Sequence, residues 1–469
     1  MPLHIAIVGS GPAGLYCAEK LLRDAPAGAR IDVIEKLPTP FGLVRAGVAP
    51  DHQGTKAVTR IFDRMFRRGD QAIAFWGHVE AGRDVTLTEL RSLYDAVVIA
   101  TGAPLDRRLG VPGEDLPGVV GSGAFVGWYN GQPDWTELAP DLEHVRSAVV
   151  IGNGNVAIDV ARVLAKTADE MARSDLDPEI GSHIGRAPLA TISIVGRRGA
   201  ADAHFSPAEL SELGRLARAA PVVIAADLPP DPAADTPTLK VLREFAAAGQ
   251  PSPDEKPVAI RFLFGRRPAE IFGAPETGVA AIRFERMRCS PDGGGYLPTG
   301  EVEELPADLV VSCIGYGAVP CCTLAPAAGG GVFVNEDGRI GDGLYVVGWA
   351  KRGPSGTIAT NRAEAHAVAQ RLLREVGAGG SGKAGRAGLE ALLRQRGVDV
   401  VSWARWERID AREVEQASAA SSTTTGRPRR KFRTVAAMLN ASADIVALER
   451  PRADADAPVS IGPATSAAN

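Results

Sequence analysis

Short apolar runs alternate with longer amphipathic stretches along this chain. The first run, His4–Val8, has the length of a buried parallel strand, and a helical stretch follows at residues 15–22. Arg30–Glu35 repeats the strand pattern and ends in an acid. Residues 53–70 place Val58, Ile61, Phe62, Met65 and Phe66 at i, i+3, i+4, i+7 and i+8, which predicts one helix with an apolar face. Strands are predicted at 72–79 and 94–102. A second strand–helix–strand unit follows at 148–151, 158–164 and 189–195. Residues 259–286 read as further strands, 307–317 and 344–350 as strands running into glycine turns, and 359–375 as a helix. The segment 226–257 is rich in Pro, Ala and Asp and reads as a surface excursion around a short helix at 239–245. Strands alternating with helices predict an α/β chain with parallel sheets. The two repeats of the pattern make these two Rossmann-like nucleotide-binding units.

The polar punctuation between the elements carries the chemistry. After the first strand comes Gly9-Ser10-Gly11-Pro12-Ala13-Gly14, and Glu35 closes the next strand 21 residues after Gly14. Strand, glycine turn, helix, strand and acid form the dinucleotide fingerprint in its proper context. Gly9 permits the turn, Gly11 lets a pyrophosphate approach, and Gly14 lets helix and strand pack closely. The helix N-terminus offers unpaired N–H groups to the anion. Glu35 can accept hydrogen bonds from ribose hydroxyls.

The second unit carries Gly152-Asn153-Gly154-Asn155-Val156-Ala157, but its second strand ends in Arg197-Arg198 where the first ends in Glu35. Guanidinium groups hydrogen-bond a 2′-phosphate that a carboxylate would repel, so this site is predicted to take NADP rather than NAD. One charged hydrogen bond is worth ~1.5–3 kcal/mol, roughly ten- to a hundredfold in affinity. The long gap between Gly152 and Arg197 implies an insertion around residues 174–186. The Gly- and Pro-rich loop at 38–52 offers Arg45 and His52 as donors, and a third glycine loop at 353–358 opens the helix at 359. Lys56, Arg60, Arg64 and Arg68 recur every four residues, a solvated helix face or a docking stripe for an acidic partner.

Composition narrows the picture. At 469 residues the chain calls for two or three domains. Glycine, at 53 residues, is well above the usual ~7%. A net charge of −4 points to neither nucleic acid nor membrane as a partner. The longest uncharged run, 309–335, is broken by Gly and Pro and does not predict a membrane helix. Met1 leads almost directly into the first strand, so no signal peptide is expected. The five cysteines show no CxxC and no metal-ligand spacing, which argues for a reducing cytoplasm and against a metal site, a redox disulfide or an iron–sulfur cluster. Residues 451–469 are mostly Ala, Asp, Pro and Ser and are expected to be a disordered tail.

Over nearly its whole length the chain resembles the adrenodoxin reductase type of NADPH–ferredoxin reductase. The resemblance rests on Phe41-Gly42-Leu43-Val44-Arg45 with His52, Gly127-Trp128-Tyr129-Asn130-Gly131, Gly196-Arg197-Arg198, and Gly348-Trp349 with residues 352–358. It implies an FAD domain in two parts, 1–105 and 326–450, with an NADP domain inserted at 106–325. It implies FAD contacts at Ala13, Glu35, Leu43, Val79, Trp349, Gly356, Thr357 and Ile358. NADP contacts are implied at Asn153, Gly154, Asn155, Val156, Arg197, Arg198, Glu209 and Gly356. The implied acceptor is a small acidic ferredoxin, docked by basic residues after Arg198, here Arg215 and Arg218. NADPH gives two electrons as a hydride and an iron–sulfur partner takes one at a time, so a flavin is needed between them. On the same likeness, and because both lie beside nucleotide loops, His52 and Asp159 are expected to form a hydrogen-bonded catalytic pair that manages flavin protons. Three other functions stand against this reading: a subunit resembling the small subunit of glutamate synthase, a redox-sensing binding protein, and a hydroxylating monooxygenase.

Overall fold

A computed structural model describes residues 1–443 apart from 69–70, 291, 293, 322–323, 328–330, 378 and 420–425. The tail expected at 451–469 lies outside the described residues. The strands follow in the order β1 (His4–Val8), β2 (Arg30–Glu35), β3 (Ile73–Gly77), β4 (Ala96–Ile99), β5 (Leu105–Asp106) and β6 (Val119–Gly121). Next come β7 (Ser147–Ile151), β8 (Thr191–Gly196), β9 (Ala219–Val223), β10 (Val258–Phe264), β11 (Arg266–Ala274), β12 (Gly278–Cys289) and β13 (Tyr296–Pro306). The last are β14 (Leu309–Ser312), β15 (Tyr316–Gly317), β16 (Arg339–Gly341) and β17 (Leu344–Val346).

They form two six-stranded sheets. The outer sheet has the order β16-β17-β4-β1-β2-β3 and draws its strands from both ends of the chain. The inner sheet, β6-β14-β7-β8-β10-β9, is parallel throughout. An antiparallel meander, β11-β12-β13, extends from the inner sheet, and the short pair β5–β15 links the two units. The strands read as unbroken apolar runs because both sheet faces are covered. In the outer sheet Ile5, Ile7 and Val33 enter one core while Ala6, Val8 and Ile34 enter the core on the opposite face.

The helix expected over 53–70 is two: Gln53–Lys56 and Thr59–Arg68. The break follows Lys56, which is buried and bonds Asp175 at 2.8 Å and Asn130 at 3.2 Å. Only Phe62 and Phe66 of the expected apolar face are fully buried, and Ile61 is 37% exposed. The basic stripe therefore loses Lys56 and keeps the exposed Arg60, Arg64 and Arg68. The strand expected over 344–350 stops at Val346, because Gly348 at φ 71° turns the chain into a helical turn, Trp349–Arg352. The insertion near 174–186 contains the helix Pro178–Gly185, capped by Asp177. The Gly127–Gly131 string closes a buried helix, Ser122–Tyr129. No helix among the described residues is long and apolar enough to cross a membrane.

Candidate functional site

The two glycine turns are built alike. Gly9 N–H donates to Ile34 O, and Gly152 N–H donates to Val195 O, each at 2.8 Å. Gly9 and Gly152 have φ of 111° and 151°, and a Cβ on either would strike the carbonyl oxygen of the returning strand, at Ala100 and Cys313. A Cβ on Gly14 would strike Gly9 O. Gly11 and Gly154 differ from these: a Cβ on either meets nothing within 4 Å. Both are helix N-caps with no side-chain cap, for Pro12–Asp24 and Asn155–Ala165. Each turn thus holds an open pocket at a helix N-terminus, the shape an anionic pyrophosphate needs.

The first pocket gathers its predicted residues from three parts of the chain. Glu35 accepts hydrogen bonds from Ser10 N (3.0 Å) and Ser10 Oγ (2.7 Å), so the acid is tied to the glycine turn. Val79 N–H donates to Glu35 O at 2.9 Å and places Val79 beside it. Gly42, at φ 48°, crosses Gly11 so closely that a Cβ would lie 2.9 Å from Gly11 Cα, and this brings in Leu43, which is 44% exposed. A Cβ on Gly348 would come 2.5 Å from Ala13 Cβ, so Trp349 follows directly over the first helix. Trp349 stacks on Tyr316 of β15 at 5.8 Å and donates Nε1–H to Ser355 O at 3.2 Å. Gly356 and Thr357 are exposed at the start of the helix Ile358–Val376.

The second pocket has two buried orphans, Asn153 Oδ1 and Nδ2, and the first has Thr101 Oγ1. Buried polar atoms without partners at an open glycine turn fit a polar ligand, and both cradles pass that test. Asn155 Oδ1 accepts from Ser206 N at 2.7 Å and anchors the helix that carries Glu209, Pro207–Glu212. Val156 follows in the first turn of the Asn155–Ala165 helix. Arg197 and Arg198 leave the end of β8 exposed to solvent. Arg218, expected at a docking surface, instead donates to Leu164 O and Ala165 O, each at 2.9 Å. It caps the end of the Asn155–Ala165 helix, while Arg215 is exposed.

The 38–52 loop reaches from the outer unit into the inner one. The expected hydrogen bond between His52 and Asp159 is absent: Nδ1 and Oδ1 stand 3.9 Å apart. Asp159 bonds Arg162 instead, at 2.8 Å, one turn along the same helix. His52 Nε2 turns to Glu212 at 3.2 Å and Glu209 at 3.4 Å. Arg162 is fully buried and also bonds Asp51 at 2.9 Å and Glu209 and Glu212 at 3.2 Å each. Lys166 adds a contact to Asp51 at 2.6 Å. Burial pushes the Asp159 carboxyl up to about 6, against the pull of Arg162 and His52. Asp51 goes the other way: burial is outweighed by Arg162 and Lys166, and its carboxyl is held well below the usual range. Arg162, Asp51, Lys166 and Glu212 were not anticipated from sequence. Asp159 and Arg162 at i, i+3 were the one local signal for them.

A charged network also joins the units behind the pockets. Lys56 and Lys431 both pair with Asp175, and Glu413, fully buried, bonds Arg45 of the 38–52 loop. Arg430 reaches Asp177 at 3.2 Å and Glu179 at 3.0 Å.

Residues 3–186 match the family described as pyridine nucleotide-disulphide oxidoreductase. The chain is 40% identical over 452 residues to the mitochondrial NADPH:adrenodoxin oxidoreductase of Homo sapiens, covering 92% of this chain and 90% of that one. It is 39% identical over 462 residues to the NADPH-ferredoxin reductase FprA of Mycobacterium tuberculosis, covering 93% and 98%. The solved structure of that FprA in complex with NADPH matches with a TM-score of 0.87 and 38% identity, covering 94% of this chain and 100% of the other.

Proposed function

This chain belongs to the NADPH:adrenodoxin oxidoreductase family of NADPH–ferredoxin reductases, and from that premise we propose which of its residues do the work. The protein is an FAD-containing oxidoreductase that takes a hydride from NADPH and hands single electrons to an iron–sulfur ferredoxin. We assign FAD to the outer pocket and NADPH to the inner one, with domains at 1–105 plus 326–450 and at 106–325. The observation that carries this is a pair of open glycine pockets with unlike ends, an acid at Glu35 and two guanidiniums at Arg197 and Arg198, bridged by the loop that bears His52.

Each residue has a task. Gly11 and Gly154 leave room for the pyrophosphates, and the uncapped helix ends donate to them. Glu35 takes the ribose hydroxyls of FAD, with Ala13, Leu43, Val79 and Trp349 lining the site. Gly356, Thr357 and Ile358, at the start of the Ile358–Val376 helix, would offer backbone groups and the Thr357 hydroxyl to the flavin, with Gly356 shared with NADPH. Asn153, Asn155, Val156 and Glu209 line the NADPH site. Hydride transfer would need the reacting rings at ~3–3.5 Å, and the 38–52 loop contacts both units through Arg45, Asp51 and His52. His52 Nε2 faces the carboxylates of Glu209 and Glu212, and Asp159 keeps its proton up to about pH 6.

His52→Ala and Asp159→Ala are each expected to slow flavin reduction by NADPH, by up to roughly a hundredfold. Anaerobic stopped-flow absorbance measures this, and unchanged rates in both variants retire the assignment. Asp159→Asn should also remove an ionisation near pH 6 from the rate profile. The function itself is tested by titrating the flavin spectrum anaerobically with NADPH and then NADH. NADPH should bleach the yellow protein at far lower concentration, and cytochrome c should be reduced only once ferredoxin is added. Protein isolated without flavin would end the reading. The free thiols Cys17, Cys289 and Cys313 fit a reducing compartment, and we place the enzyme in the cytoplasm. The ferredoxin should be acidic, and the exposed Arg215 together with Arg60, Arg64 and Arg68 are its candidate contacts.

A further inference from the structure

The meander β11-β12-β13 lies outside both glycine turns, yet its last strand begins beside the loop that follows Arg197-Arg198. Tyr296 opens β13, and its hydroxyl donates to Asp202 Oδ2 at 2.6 Å. Asp202 is the first acid after the guanidinium pair Arg197-Arg198. A single 3-10 turn, Ala200–Asp202, therefore ties a carboxylate to the two groups that are to hold a phosphate. Left unrestrained, that carboxylate would fold back onto Arg197 or Arg198, neutralise it and repel a dianion.

The loop is shaped around the phenol. Gly199 has φ of −70°, which any residue adopts, so its backbone does not call for glycine. Its Cβ, if present, would lie 2.7 Å from Tyr296 Oη. Glycine there leaves the hydroxyl its room without any shift of the ring. Gly265 N–H, just before β11, donates to Arg198 O at 2.9 Å, so the same end of the meander that carries Tyr296 also holds the arginine loop. Burial and the hydrogen bond to Asp202 both raise the phenol's pKa from its ordinary value, in keeping with its role as donor to the carboxylate.

We infer that Tyr296 is a specificity-determining residue for NADPH: it holds Asp202 away from Arg197 and Arg198, so that both guanidiniums stay available to the 2′-phosphate. The inference rests on the assignment of NADPH to the inner pocket. Tyr296 acts through Asp202 and is a positioning residue.

The test is the flavin-loaded Tyr296→Phe enzyme, which removes one oxygen atom. Calorimetry with adenosine 2′,5′-bisphosphate should show affinity lower by roughly tenfold, with ADP binding unchanged. The ratio of kcat/KM for NADPH to that for NADH should fall by the same factor, while flavin content and Tm stay as in the parent. Tyr296→Phe combined with Asp202→Asn should recover most of the loss, because the released charge is gone. Parent-like affinity for the bisphosphate in Tyr296→Phe overturns the inference, as does equal weakening of bisphosphate and ADP or a double variant with no recovery. Arg197→Ala/Arg198→Ala separates the two levels. If it abolishes the preference and Tyr296→Phe does not weaken it, the inference alone fails. If it leaves the preference intact, the site assignment fails and takes the inference with it.

Discussion

Replacing Gly11 by valine is expected to give protein that folds but is colourless. Gly11 has φ −70° and ψ 176°, extended backbone that valine adopts readily, and a Cβ there meets nothing within 4 Å. The protein alone therefore has room for a Cβ at this position. The space it fills is the approach path of the FAD pyrophosphate, whose hydrogen bonds to the helix N-terminus depend on close contact. Losing two charge-assisted hydrogen bonds costs ~3–6 kcal/mol, roughly a hundred- to ten-thousandfold in affinity. Gly154→Val should behave as the mirror image: yellow, folded, and not bleached by NADPH. Gly9→Ala makes the contrast, because its Cβ would meet the Ala100 carbonyl at φ 111° and the fold itself should suffer. Visible absorbance and thermal melting separate the three variants. Flavin retained at parental level in Gly11→Val would remove the outer pocket as the FAD site.

The second large effect is expected from Arg197→Ala/Arg198→Ala. Both side chains are exposed at the end of β8, so their removal should leave stability within about 0.5 kcal/mol of the parent. Affinity for NADPH should fall by roughly a hundred- to ten-thousandfold, from two lost charged contacts. NADH has no 2′-phosphate, so its kcat/KM should barely move, and the variant should treat the two nucleotides alike. The parent's preference should also weaken with added salt, since the lost term is electrostatic. Steady-state kinetics with both nucleotides at two ionic strengths measures this directly. A preference that survives the double substitution would mean that other groups hold the phosphate.

Much of the architecture was legible because the signals are local. An apolar run, a glycine turn and a helical stretch in sequence specify a strand–turn–helix unit, and the chain spells this twice. The acid at Glu35 and the arginines at 197 and 198 sit at strand ends by the same rule. What could not be read depends on partners far along the chain. Lys56 was counted among exposed cations on the strength of a four-residue spacing, but its charge is met by Asp175, 119 residues away. That burial is also where the expected helix breaks. His52 and Asp159 stand in a 3.9 Å contact rather than the expected hydrogen bond for a related reason. Arg162 lies on the same helix as Asp159 and takes its carboxylate, while the loop presents His52 to Glu209 and Glu212. Tyr296 was equally invisible, since nothing near it in sequence speaks of nucleotides. It reaches Asp202 only because β12 and β13 run back along the edge of the inner unit.

The interleaving of the two sheets sets an order on the ribosome. The inner sheet has all six of its strands once residue 312 has emerged, whereas the outer one still lacks β16 and β17, which end at residue 346. During translation the nascent outer unit therefore waits, with the edge of β4 uncovered, while the segment inserted into it closes first.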